Sequence, residues 1–501
     1  MRKGLLQKPV TFFGPIIDKI LLTHFVIIGL PTVLYYFILK SDGDLVFLHL
    51  LLPALYFVTS VVVIGEAVST ALTYRQSSTT GGAKQRIPNP KFGMVQRFLR
   101  APRTNYRAGL PASKASLPKC SLIVAAYLPN EQHIIFNTLD YILANVHRPE
   151  AGLEIILAYN RPERLAIEDQ LEKFAEQHPE LKLLCVEDSR SKAQNINAAL
   201  EIVTGEITGI LDADHHPNPD CFERAWRWLG NYRYTAVQGR NVIRNHDVNF
   251  MTRMIGVEFE CIYGVSHPAK SLLVDTGVFC GSNGYWRTST LKRVGFSSKM
   301  LTEDIDASFR TLLSGHNIVH DPMIVTTELA PVDLPSFWSQ RKRWAQGWLE
   351  VTLKYQFSIL RTKRLDGWQK FYWTLLLVYS AGFHLLALQA FPIALSLALS
   401  GESAPELAPE YVLAMTILTF VSGPIQTLAA WIVRSDEVKQ SAKDYLIYCA
   451  FIPFYCIFKS VIAITAIYDH LAGNAEWVVT GRGLMDSIPA TSQVLVKRLD
   501  G

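Results

Sequence analysis

Residues 207–215 read Ile-Thr-Gly-Ile-Leu-Asp-Ala-Asp-His: a short apolar run that ends in two carboxylates. Ile207 to Leu211 has the make-up of a buried strand, too short for a helix and bounded by turn residues. Upstream the same unit recurs. Ser191 to Val203 is a helical stretch, and Leu181 to Val186, Leu153 to Ala158 and Cys120 to Ala126 are further strand-like runs. Glu131 to Asn145, between the first two strands, has helical spacing of its apolar positions. This β-α-β-α-β rhythm predicts an α/β domain with an open, mostly parallel sheet and helices on both faces. Such sheets bind ligands beyond the carboxyl ends of their strands, at a topological switch point. No GxGxxG or Walker lysine motif follows the first strand, which speaks against a dinucleotide or P-loop site.

Outside this domain the composition changes. The chain has 501 residues, more than one core usually organises, with 49% apolar and 19% charged residues. That balance excludes the disordered and fibrous classes and points to a membrane class. Residues 20–39 and 45–64 each supply about 20 apolar residues, enough to cross the hydrocarbon core. The first is too long for a signal-peptide core and reads as a retained anchor. Arg2, Lys3, Lys8 and Lys19 precede it, which favours a cytosolic N-terminus. From Arg75 to Lys119 the chain has ten basic residues and no acid. Such a run suits a nucleic-acid tail, but its place straight after a span argues for a linker on anionic headgroups. Three more apolar stretches follow at 371–399, 411–433 and 445–467. Two spans plus three would put the two termini on opposite sides. Trp477 to Arg482, however, looks like cytosolic machinery, so either 371–399, interrupted by Gly382 and Pro392, or the Pro453-broken 445–467 is re-entrant or doubled, and the sequence does not decide which. Seven cysteines form no CxxC pair, so neither a zinc ribbon nor a disulfide framework is expected.

Five features fall in order along the chain. Asp212 and Asp214, at i and i+2 beyond a strand, can place oxygens around one hard cation, although Asp pairs are also common in loops. Gly281-Ser282-Asn283-Gly284 is a small-residue loop that lets backbone approach a ligand. Thr302-Glu303-Asp304 precedes a helical stretch and, alone, reads equally as a capped helix start with acids against the dipole. Gln340-Arg341-Lys342-Arg343-Trp344 lies in a helical stretch from Ser336 to Tyr355, the pattern of an amphipathic helix at a membrane surface. Last comes Trp477-Val478-Val479-Thr480-Gly481-Arg482. The adjacent His215 and His216 cannot face the same way on a regular element, so His215 is expected to support the Asp pair rather than to ligate with its neighbour. Glu131 reads as a cap or ion-pair partner on the first helix, and Glu258 and Glu260 as solvated or paired. Lys459, inside an apolar stretch, either lines a polar path or snorkels.

The ordered set Asp-x-Asp, Thr-Glu-Asp and Gln-x-x-Arg-Trp, flanked by spans, resembles the membrane-embedded family 2 glycosyltransferases, which include cellulose, chitin and hyaluronan synthases. The likeness covers roughly residues 118–350 and the flanking spans, and Asp-Ala-Asp-His is closest to the cellulose-synthase form. It implies a GT-A-like, cytosolic domain inserted between transmembrane helix bundles. The implied organisation is a transmembrane hairpin over 1–74, a basic linker over 75–117 and the GT-A-like domain over 118–332. Interfacial helices would follow over 333–370, a transmembrane bundle over 371–470 and a C-terminal segment over 471–501.

The resemblance also implies roles. Asp304 would be the catalytic base and Asp214 the ligand of Mn2+ or Mg2+. Tyr127, Asn160, Lys192 and Asp212 would meet the nucleotide-sugar. Gln340, Arg343 and Trp344 would hold the diphosphate and the acceptor, and Trp477, Thr480 and Arg482 would form a gating segment. Where the family usually has an Asp-Asp pair after the second strand, this chain has Tyr159-Asn160, with an amide for a pyrimidine edge and a ring for stacking.

The implied activity is inverting transfer from a UDP-hexose to a growing β-linked polysaccharide, coupled to export for a cell wall, capsule or extracellular glycan, at a plasma membrane. Its partners would be the donor, a glycan or lipid acceptor and membrane lipids, with no nucleic acid; homo-oligomerisation is left open. The alternative is a non-processive enzyme that makes a glycolipid. A transporter would show repeated spans, and none are seen.

Overall fold

A computed structural model describes residues 14–79, 116–230, 233–403, 409–438 and 440–474. The four expected strands form as β1 (Cys120–Tyr127), β2 (Leu153–Asn160), β3 (Leu181–Cys185) and β4 (Ile207–Asp212). They pair in parallel in the order β3-β2-β1-β4. β5 (His216–Pro217), β6 (Tyr234–Ile243), β7 (Gly284–Arg287) and β8 (Asn317–Glu328) extend the sheet to eight strands, ordered β3-β2-β1-β4-β7-β6-β8-β5. β7 runs antiparallel to both β4 and β6, so the sheet is mixed, with its parallel half toward β3.

Alternate residues feed two apolar layers, as the strand period of two requires. Leu122, Val124, Ile155 and Leu157 face helices Ile135–Asn145 and Cys221–Leu229. Ile123, Ala125, Ile156 and Ala158 face helices Lys192–Ile202, Thr288–Val294 and Glu303–Leu313. The registers place Tyr127 beside Asn160 and Ala125 beside Asp212, which gathers the β1, β2 and β4 ends at one edge.

Helix Phe250–Cys261 leads through a π-turn into helix His267–Val274, and this unit joins the sheet to the apolar helices. Met254, Val257, Cys261 and Val265 pack with Ala67, Ala429, Ala430 and Tyr445. The amphipathic stretch is a 28-residue helix, Leu334–Arg361, capped by Asp333, whose side chain accepts from the Ser336 N–H.

Among the described residues five helices are long and apolar enough to cross a membrane: Ile16–Lys40, Val46–Thr73, Gly367–Ser400, Pro409–Ile432 and Ala442–Leu471. Ala442–Leu471 is one unbroken helix despite Pro453. Of the two stretches suspected of irregularity, the break falls in the other, between Ala387 and Ala390.

Polar side chains tie sheet domain and spans together. Glu258 and Glu260 are both buried and paired. Glu258 accepts from Arg341 at 2.6 Å, the Tyr455 hydroxyl at 2.7 Å and Lys459 at 3.0 Å; Glu260 pairs with Arg240. Lys459 is therefore an ion-pair partner. Asp469, at the end of the last span, takes Lys19 at 2.5 Å and Lys342 at 2.6 Å. Removing one member of such a buried pair costs about 3–5 kcal/mol, because the other charge is stranded.

Candidate active site

A cleft of about 1090 Å³, its open mouth included, lies beyond the carboxyl ends of β1, β2 and β4. Its lining holds Tyr127, Asn160, Lys192, Asp212, Asp214, Asp304, Gln340, Arg343 and Trp344. Nine residues expected from the sequence, spread over 218 positions, thus meet in one cavity. Trp477, Thr480 and Arg482 lie outside the described residues, as does most of the basic linker.

On the sheet side, Lys192 begins helix Lys192–Ile202, whose N-cap Ser191 accepts from the Gln194 N–H. The cap aims the lysine across the strand ends, where it pairs with Asp212 and donates to the Gly281 carbonyl at 2.8 Å. Burial works against its charge, but Asp212, Glu303 and Asp304 outweigh burial and hold the ammonium above its ordinary range. Asp214 is fully buried. Its carboxylate accepts from His215 Nδ1 at 3.0 Å and from the Leu329 N–H at 3.0 Å. His215 also reaches Glu328 at 3.0 Å and Ser282 at 2.9 Å. Burial disfavours the imidazolium, yet Asp214 and Glu328 raise His215 to about 9, so the ring is a charged brace between two acids. His216 points elsewhere and stacks on Tyr141, ring centroids 4.3 Å apart.

Asp304 is the second residue of helix Glu303–Leu313, and its Oδ1 accepts from the Ile305 N–H at 2.9 Å. Burial first, and the neighbouring Glu303 charge second, raise its carboxyl to about 7, although Lys192 and Arg343 pull the other way. A carboxylate that titrates near neutrality can take a proton and give it up again. Thr302 stands at the N-cap position with Glu303 and Asp304 in the first turn, as the helix-start reading of this triplet requires, but its hydroxyl makes no cap bond. Opposite stands helix Leu334–Arg361. Gln340, Arg343 and Trp344 sit at i, i+3 and i+4 and share the face toward the cleft. Arg343 Nη1 donates to the Leu301 carbonyl at 3.3 Å. Gln340 Oε1 and Arg343 Nε are buried with no hydrogen-bond partner among the described residues, so donors and acceptors are poised for a polar ligand.

The β2 end differs from its expected use. Tyr159 is buried in the core and donates its hydroxyl to Glu168 at 3.0 Å, so it offers no stacking surface. Asn160 donates to the Ser189 carbonyl at 2.9 Å and accepts from Asn195 at 2.8 Å. Asn195 also donates to the Ala126 carbonyl at 3.1 Å. The amide of Asn160 is thus engaged in bracing the β1 and β2 ends, and any contact with a base uses what capacity remains. Glu131 accepts from the Tyr127 N–H at 2.7 Å, which fits its reading as a cap or pairing residue. Sequence reasoning missed Asn195, Asn241, Glu303, Glu328, Phe259 and Tyr263 as cleft residues. Glu303 carried a signal as part of its triplet, and Asn195 follows Lys192 by three residues on the same helix; the others lie in elements with no motif of their own.

Gly281 has φ +87°, and a Cβ there would stand 3.0 Å from Asp304 Oδ2 and 3.6 Å from Lys192 Nζ. Gly281→Ala should therefore displace the two charged groups as well as carry about 1–2 kcal/mol of backbone strain. We expect transfer to fall at least about tenfold with only a modest loss of thermal stability, read by rate assay and melting curve on the same preparation.

An α/β sheet brings a lysine–aspartate pair, an Asp-x-Asp and a near-neutral aspartate under a basic and aromatic helix, which defines the class: a mixed-sheet α/β domain with a polar cleft, joined to apolar helices. Residues 207–433 match the profile of the family described as Glycosyl transferase family group 2, and the chain carries a family 2 glycosyltransferase domain. A probable glycosyltransferase, YdaM, of Bacillus subtilis is 27% identical over 257 residues, which is 50% of this chain and 60% of that protein. A poly-beta-1,6-N-acetyl-D-glucosamine synthase of Staphylococcus epidermidis is 29% identical over 248 residues, 49% of this chain and 58% of that protein. The chain thus spans under two thirds of the length of the curated relatives it matches. Among solved structures, a mannosyltransferase from Pyrobaculum calidifontis in complex with GDP-Man and Mn2+ aligns with a TM-score of 0.49. It has 20% identity, over 84% of this chain and 99% of that one.

Proposed function

We propose that the protein is an inverting glycosyltransferase that moves a sugar from a UDP-sugar onto a growing β-linked polysaccharide at a membrane, with the sheet domain on the cytosolic side. One observation carries this reading: a near-neutral Asp304, an Asp-x-Asp and the Gln340–Arg343–Trp344 face line a single cleft.

The acceptor hydroxyl loses its proton to Asp304 as its oxygen bonds to the anomeric carbon. The bond from that carbon to the diphosphate breaks on the opposite side, and the nucleoside diphosphate leaves with the electron pair. One base and one direct displacement invert the anomeric centre, so an α-linked donor gives a β-linked product. Arg343 is placed to meet the charge that develops on the leaving diphosphate. Trp344 offers an indole to a sugar face, which positions the acceptor.

The donor set suits a divalent ion. Asp212 and Asp214 are carboxylates at the cleft, and among the described residues no group of three His, Cys, Asp or Glu encloses a metal. Mn2+ or Mg2+ held by one or two carboxylates takes its other ligands from substrate phosphate and water. When bound, the ion supplies neutralising charge for the diphosphate.

The test is nucleoside diphosphate release by the purified protein in detergent with Mn2+, across UDP-hexoses, UDP-N-acetylhexosamines and GDP-mannose. One UDP-sugar should be turned over well above the rest. Turnover of GDP-mannose alone would replace the uridine assignment.

A further inference from the structure

Arg341 and Lys342, between Gln340 and Arg343, are not among the cleft-lining residues, yet both are committed to partners. Arg341 is buried, with Nη2 2.6 Å from Glu258, and Lys342 is 2.6 Å from Asp469. Arg341 also stands over an aromatic cluster. Its guanidinium carbon lies 4.2 Å from the Trp344 ring centroid, 5.1 Å from that of Phe337 and 5.8 Å from that of Phe259. Phe259 and Trp344 both belong to the cleft wall.

One guanidinium therefore touches the ring at the acceptor side and a carboxylate that is itself fixed by two groups of the last span, Tyr455 and Lys459. A planar cation suits this double task. It stacks on an aromatic face while its edge donates to a carboxylate, whereas a lysine ammonium satisfies the carboxylate but offers no plane.

We propose that Arg341 is a positioning residue for Trp344: braced by Glu258 against the last span, it fixes the plane of the indole in the cleft. What the indole does there rests on the glycosyltransferase reading above; where it is held does not. With Arg341 over one face of the ring, an indole that turns away gives up its contact with a guanidinium that Glu258 holds in place. The last span thereby sets the geometry of the acceptor side.

The test uses the full chain in detergent, labelled with 5-fluorotryptophan, with the Trp344 resonance assigned by its loss in Trp344→Phe. Arg341→Lys keeps the charge opposite Glu258, and its Trp344 resonance should shift and broaden. Arg341→Gln, whose planar amide still reaches toward Glu258, should fall between that variant and the wild type. Lys342→Gln, which cuts the neighbouring tie to Asp469, should leave the resonance in place.

In turnover, Arg341→Lys should lower the ratio of transfer to donor hydrolysis about tenfold with donor KM unchanged. The same change in a Trp344→Ala background should add less than about twofold, because the two residues act as one unit. A merely structural role would lower both rates together and add fully in the double variant. A Trp344 resonance that coincides with wild type in folded Arg341→Lys and Arg341→Gln overturns the proposal, whatever the activity. Shifted resonances in the variants of a protein whose wild type turns over no donor would leave the positioning standing and sink the glycosyltransferase reading instead.

Discussion

Asp304→Asn should abolish glycosyl transfer, with a loss of about 10²–10⁴-fold, the usual worth of a positioned general base. The substitution keeps size and an acceptor for the Ile305 N–H, so folding and nucleoside diphosphate binding should survive. The pH profile carries the same claim with a defined sign. The free carboxyl sits at about 7, and only its deprotonated form can accept the acceptor proton. In the wild type, kcat/KM should be flat above about pH 7 and fall about tenfold per unit below it, since that parameter reports the free enzyme. The residual rate of Asp304→Asn should lose this limb. A variant with wild-type turnover, or an unchanged limb near 7, would remove Asp304 from the role of base.

The second large effect is expected at the Asp-x-Asp. Asp214→Asn replaces a carboxylate by an amide that can still accept from the Leu329 N–H, so local structure is largely kept. It removes a charge from the proposed cation site and from the brace that His215 forms with Glu328. Mn2+-dependent binding of UDP should weaken by about 10²-fold or more, because a bound divalent ion is worth several kcal/mol of charge stabilisation. Titration calorimetry with and without Mn2+ reads this directly. Wild type should bind UDP much more tightly with the ion, and Asp214→Asn should bind it weakly and equally in both conditions. Undiminished Mn2+ dependence in the variant would place the ion elsewhere.

How much of this was legible follows from how each element is buried. β1, β2 and β4 are covered on both faces, so they read as unbroken apolar runs. β6 is equally buried but carries Gln238, Arg240 and Asn241, which bond to the Gly281–Gly284 loop, Glu260 and Glu328. Its pattern resembles no strand until those partners are known. β7 is four residues long and gives no periodic signal. For the site, residues within motifs were found because their spacing is local. The Asn195–Asn160–Ser189 brace was not, because it joins side chains 35 and 29 positions apart. Tyr159 looked available because nothing in the sequence discloses Glu168 waiting beneath it. Lys459 offered two readings inside an apolar stretch, and its partner, a carboxylate 201 residues upstream, was legible in neither.

The account turns on polymer growth by direct transfer. Purified protein in detergent should be incubated with Mn2+ and the labelled UDP-sugar it turns over, and the product resolved by size and by linkage-specific glycosidases. A long product, degraded only by a β-specific enzyme and absent with Asp304→Asn, is the predicted result. A single sugar on a lipid would contradict polymer growth and mark the protein as a glycolipid-forming transferase, and an α-linked product of any length would contradict the inverting mechanism.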